Sequence, residues 1–168
     1  MMDASQLRFM LEELNFSAAM PVELLEALAA ASTLRHLEAG TVLFREGSTS
    51  RDFYLIHEGC VALEMSVPGR GSIRILTVGP GEMVGWSSLL DEGRMMASAV
   101  VVEETQAVVA SAEQLLALCE TSPALGYHLM RRMAVALSRR LMATRLQLLD
   151  LFADTPAAVP VRKGDASA

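Results

Sequence analysis

The sequence predicts an α+β fold, mainly β, with helices at both ends of the chain. Three observations predict it. Residues 33–111 carry period-two patterning and short apolar runs, punctuated by Gly40, Gly47, Gly59, Gly69, Gly71, Gly79, Gly81, Gly85 and Gly93. Residues 1–32 place apolar side chains at helical spacing, and from 123 onward no Gly beyond Gly126 and no Pro interrupts the chain until Pro156. The chain of 168 residues is about one domain long, and with 52% hydrophobic and 20% charged residues it can bury a core. Aromatic residues make up only 5%, so that core is expected to be aliphatic and rich in Met.

Each element follows in order. Leu7, Met10, Leu11 and Leu14 recur at i, i+3, i+4 and i+7, one face of a helix. Residues 15–20 break the pattern. Pro21 suits a first helical position, because it has no N–H to lose there, and Leu24, Leu25 and Leu28 carry a second helix to about Ala31. In residues 60–67, Val61, Leu63, Met65 and Val67 alternate with Ala62, Glu64 and Ser66, as in a half-buried strand. Residues 68–71 form a turn and 72–78 the return strand of a hairpin. Residues 100–102 and 107–110 read as two further short strands. Many short strands at this spacing predict a sandwich, a jelly roll or a similar barrel. Ser111 and Gln114 have capping-box spacing at the start of a short helix, and Ser122-Pro123 opens a helix of roughly 28 residues, about 42 Å long. The expected divisions are N-terminal helices over 1–32, a β domain with a short helix over 33–122, a long helix over 123–152 and a disordered tail over 153–168.

Composition narrows the function. A net charge of −6 argues against nonspecific binding to nucleic acid or an anionic membrane. Cys60 and Cys119 form no CxxC pair and read as reduced core thiols. The N-terminus has no signal-peptide pattern and no stretch is apolar enough to span a membrane, which makes a cytoplasmic location the expectation. His36, His57 and His128 lack metal-type spacing, so neither a metal nor another cofactor is expected. No nucleophile motif, phosphate loop or paired-carboxylate pattern occurs, and the chain does not read as an enzyme. Asp91-Glu92 reads as a solvated turn. Arg131, Arg132, Arg139, Arg140 and Arg145 could meet an acidic partner or a nucleic acid, but a solvated helix face is the simpler reading.

The run GTVLFREG at 40–47, DFYLI at 52–56, Glu58-Gly59 and GPGEMVG at 79–85 resembles the cyclic-nucleotide-binding domain, the sensor half of Crp/Fnr-type bacterial regulators. The resemblance covers about residues 20–152. It implies a double-stranded β-helix, a jelly-roll-like β-roll, with N-terminal helices and a long C-terminal helix. It also implies a regulatory or signalling role, and a homodimer paired through the long helix. Two family features are missing. The sequence stops 16 residues after Phe152, too short for the family's helix-turn-helix domain, so DNA binding by this chain is not expected. The phosphate-binding cassette, GWSSLLDEGRMMASA at 85–99, is degenerate. In the family a Glu after the first Gly binds the ribose 2′-hydroxyl, and an Arg pairs with the cyclic phosphate. Here Trp86 stands at the Glu position. The Arg position falls on Met96 counting forward from Gly85, or on Ala97 counting back from Ser98-Ala99.

Binding of cyclic AMP is therefore expected to be weak or absent. The candidate pocket comprises Gly85, Trp86, Ser87, Ser88, Arg94, Met96, Ala97, Ser98 and Thr144, the last because the family touches the purine from a Thr or Ser on the long helix. Arg94 could reach an anion or be a solvated loop charge. Trp86 could stack on a ligand or plug the empty pocket beside Met95 or Met96, and the apolar neighbours favour the plug. Along the long helix Met130, Met133, Leu137, Leu141, Thr144, Leu148 and Leu151 approach a heptad seam, the expected homodimer interface. A second row, Leu129, Val135, Met142, Leu146 and Leu149, could face the β-roll. Two functions compete on these grounds: a homodimeric interaction module that signals to another regulatory protein, and a small-molecule sensor, a Crp/Fnr-type regulator without its own DNA-binding domain, that binds a cyclic nucleotide or another ligand in a modified pocket.

Overall fold

The computed structural model describes residues 4–90 and 93–153; the Asp91-Glu92 turn and the tail beyond 153 lie outside the described residues. The chain divides into two compact units, Met1–Ala136 and Leu137–Ala168.

The first unit opens with α1 (Ala4–Glu13) and α2 (Val22–Ala30). Leu7, Leu11 and Leu14 are buried, so the i, i+4, i+7 face is the inner one. Pro21 caps α2 from the position before its first turn, and its carbonyl accepts the N–H groups of Leu24 and Leu25. Six strands follow: β1 (Ser32–Leu37), β2 (Val42–Phe44), β3 (Asp52–Val67), β4 (Gly71–Val78), β5 (Met83–Val84) and β6 (Ser98–Ser111). All their pairings are antiparallel. The two long strands β3 and β6 pair with each other along most of their length. β6 also pairs with β1 and β2, and β3 with β4 and β5. This is the β-roll: two long strands that each serve successive short partners.

The two short strands expected at 100–102 and 107–110 are therefore one strand. Exposed Val102, Glu103 and Glu104 interrupt its apolar pattern where the pairing with β3 slips between Ile56 and Val61. Gly59 sits in that irregular stretch at φ +91°, and a Cβ there would collide with Thr105. The interior of the roll is a cluster of buried side chains that includes Phe44, Tyr54, Ile56, Val61, Val84, Met95, Ala99, Val101 and Val109.

Two helices complete the chain, α3 (Ala112–Thr121) and α4 (Pro123–Ala153). Ser111 occupies the cap of α3 but makes no side-chain cap bond, contrary to the capping box that its spacing suggested. Ser122 does cap α4: its Oγ accepts the Leu125 N–H at 3.4 Å. With 31 residues α4 is about 46 Å long.

The first turns of α4 belong to the first unit, where Leu125, Leu129 and Met133 are 0%, 0% and 2% exposed. This corrects the expected seam. Met133 continues the i, i+4, i+8 row of Leu125 and Leu129, so its own chain covers it and it is not free for a second copy. Met130 and Leu137 are half-buried, whereas Leu141, Thr144 and Leu148 are exposed; the Leu151 side chain lies outside the description. Of the second row, Leu129 is buried, while Val135, Met142, Leu146 and Leu149 are exposed.

Candidate functional site

The cassette hangs on two glycines that no other residue could replace without strain. Gly85 adopts φ +79°, and a Cβ there would lie 2.6 Å from the Asp52 carbonyl oxygen. Gly93 adopts φ +74°, with Ser50 O at the same 2.6 Å. Between them Trp86–Leu89 form a short 3-10 helix. Ser87 is 6% exposed and Leu89 is 5% exposed, whereas Trp86 is half-buried. The Ser88 hydroxyl is buried and has no hydrogen-bond partner among the described residues.

After Gly93 the chain runs extended beside residues 47–50. Ser50 N donates to Gly93 O at 2.9 Å, Met95 N to Ser48 O at 2.9 Å and Gly47 N to Met95 O at 2.8 Å. Extended backbone alternates its side chains. Met95 points inward and is 2% exposed, within the interior cluster, while Arg94 is exposed and Met96 is 65% exposed. Trp86 neither forms nor packs against that cluster. The side chain that enters the roll interior is Met95, while Trp86, expected as a plug beside Met95 or Met96, is half-buried.

Ala97 and Ser98 are half-buried. The Ser98 oxygen accepts the Glu46 N–H at 2.9 Å, and the Glu46 carboxylate accepts the Ser66 N–H at 2.8 Å. Ser98 therefore holds the 45–48 turn against the start of β6. Thr144 lies on the distal part of α4, and its hydroxyl donates to the Arg140 carbonyl one turn back, at 2.9 Å.

The ionisable groups of the roll are tuned by burial. Tyr54, inside the cluster, has its phenol pushed up to about 12 by burial and by neighbouring Asp52, 3.4 Å from its hydroxyl. Asp52 also meets Arg35 at 3.6 Å. Burial raises the thiols of Cys60 and Cys119, and Glu103 adds to the effect at Cys60, so both are protonated and poorly nucleophilic near neutral pH. Tyr54 and Met95 both lie in the buried interior of the roll.

A family model for the cyclic nucleotide-binding domain matches residues 34–122. This chain belongs to the cyclic nucleotide-binding domain family. It is 37% identical over 109 residues to the cyclic AMP receptor protein of Thermus thermophilus, covering 65% of this chain and 49% of that one. It is 33% identical over 122 residues to a CRP-like cAMP-activated global transcriptional regulator of Mycobacterium tuberculosis, covering 71% and 52%. The crystal structure of the Thermus thermophilus catabolite activator protein superposes with a TM-score of 0.65 at 31% identity, over 82% of this chain and 62% of that one. The chain thus spans about half the length of the curated relatives that it matches. Among the described residues no helix is long and apolar enough to cross a membrane.

Proposed function

We propose that this cyclic-nucleotide-binding-type domain is a non-catalytic regulatory module that binds cyclic AMP weakly or not at all and that acts as a homodimer through α4. The observation that carries the reading is Met95. A thioether side chain occupies the roll interior, and the family's two ligand-holding groups are replaced by Trp86 and by Met96 or Ala97. Arg94 is the single cation between residues 85 and 99, and it is exposed. A hydrogen bond to a charged group contributes about 1.5–3 kcal/mol net. Two such losses weaken binding by roughly two to four decades.

The dimer rests on the distal part of α4. Every residue from 141 to 150 is exposed, including Leu141, Met142, Leu146, Leu148 and Leu149. A helix this apolar needs cover, and Leu137, Leu141, Thr144, Leu148 and Leu151 keep heptad spacing for a twofold mate.

A second reading, a sensor of another small molecule, has one observation in its favour: the unpartnered Ser88 hydroxyl in the cassette. Titration calorimetry with cyclic AMP tests the first reading. No binding heat at micromolar concentration is expected, and a micromolar or tighter Kd overturns the proposal. A melting-temperature screen with cyclic mononucleotides, cyclic dinucleotides and guanosine tetraphosphate separates the two readings, since only a ligand of the folded state raises the midpoint.

A further inference from the structure

A groove of about 460 Å³ is lined by residues of α2, the residue after it, and α3. Ala27, Ala30 and Ala31 form one wall, and Gln114, Ala117, Leu118 and Thr121 form the other. Leu25 and Leu28 of α2 and Leu115 of α3 are buried. The groove itself is lined mainly by alanines, beside Leu118, Gln114 and Thr121, which lets a third helix approach closely and seat its own large side chains there. The lining offers hydrogen-bonding side chains only at Gln114 and Thr121, a poor match for a polar small molecule.

The rim has one sign of charge. Glu23 and Glu26 stand one turn before Ala27 and Ala30; Glu113 stands one turn before Ala117, and Glu120 beside Thr121. All four are exposed, and α2 and α3 contain no Lys or Arg. None of the four forms an ion pair among the described residues. We propose that this groove docks a basic amphipathic helix of a partner protein, its leucine-sized face against the alanines and its lysines or arginines against the four glutamates. The inference rests on reading the chain as an interaction module, and it names that module's partner by chemistry. An acidic rim on a chain of net charge −6 turns away nucleic acid and anionic lipid.

The position suits signalling. Leu118 and Thr121 lie in the last turns of α3, directly before the Ser122 cap of α4. One turn into α4, Gly126 lies so close to α3 that a Cβ on it would sit 3.2 Å from the Cys119 Cβ. A helix seated in the groove therefore leans on the joint between α3 and α4.

The test uses the full chain and two dye-labelled helical peptides of about twenty residues with leucines at helical spacing, one flanked by lysines and one by glutamates. Fluorescence anisotropy should show the lysine peptide binding at least tenfold tighter than the glutamate peptide, and more weakly as salt is raised. The quadruple variant E23Q/E26Q/E113Q/E120Q should lose at least tenfold for the lysine peptide, as should Ala30→Trp, which fills the groove from an exposed position. Unchanged circular-dichroism melting controls for folding in both variants. Binding of neither peptide, equal binding of both, or full affinity for the Ala30→Trp variant would overturn the groove. Sedimentation on the same samples reports the dimer separately. Peptide failure with the dimer intact removes only this inference, and loss of the dimer removes the reading beneath it.

Discussion

The two ends of α4 have similar composition and different surroundings. Near its start, Leu125, Leu129 and Met133 are almost wholly buried by their own chain. Farther along, Leu141, Leu146, Leu148, Leu149 and Phe152 are each at least half exposed. Both stretches hold leucines at spacings of three and four, so the hydrophobic pattern alone does not distinguish a row that packs at home from one that waits for company. A long helix can thus anchor a domain with one end and offer an interface with the other. Helical stability in proteins comes mostly from packing an apolar face, and the exposed leucines of the distal end are the face that the proposed dimer would cover.

The largest expected effect breaks the buried end. Leu129→Ala should cost about 3 kcal/mol and lower Tm by about 6–12 °C, whatever the oligomeric state. Thermal denaturation across a range of protein concentrations checks this. A loss well under 1 kcal/mol would mean that the start of α4 is not anchored as described.

Met95 extends the same contrast to the cassette. Met95→Ala should cost about 2–3 kcal/mol because it empties part of the roll interior, while Met95→Leu should cost less than about 1.5 kcal/mol. Met96→Ala, at an exposed neighbour, should cost no more than about 0.5 kcal/mol. Urea titration of the three variants measures the series, and equal losses at 95 and 96 would contradict the alternation.

A smaller effect reads the interior by pH. The folded state holds the Tyr54 proton more tightly than the unfolded chain, because the folded pKa is raised to about 12 from an ordinary 10. The stabilisation is complete below pH 10 and is lost as pH rises from 10 toward about 12. Absorbance titration of the Tyr127→Phe variant, which leaves Tyr54 as the reporting phenol, should show a midpoint well above 10. A midpoint at 10 would place Tyr54 in water. The smallest effect belongs to the exposed end: Thr144→Ala should change monomer stability by less than about 0.5 kcal/mol, since its hydroxyl serves only its own helix.

Much of the architecture was legible because it rests on local rules. The break after Leu14, the 68–71 turn, the Ser122-Pro123 start and the family glycines each encode backbone geometry in one or two residues. What escaped depended on phase and long-range pairing. β6 looked like two strands because Glu103 and Glu104 face solvent at an irregular stretch that only the register with Gly59 explains. Met133 fitted a seam of period 3.5 as well as a buried row of period 3.6, and only packing separates the two. The cassette reads as degenerate because Trp86, and Met96 or Ala97, stand where the resemblance calls for a Glu and an Arg. Which methionine turns inward depended on how residues 94–96 run beside 47–50, a long-range pairing that is not written in the residue types.

A second copy of the chain is proposed to cover the exposed end of α4. Sedimentation velocity of the full chain at tens of micromolar tests it most directly. The account predicts a dimer, and predicts that Leu141→Glu converts it to a folded monomer because a charge would be buried at the seam. A monomeric parent chain, or a dimer that survives Leu141→Glu, would contradict the account.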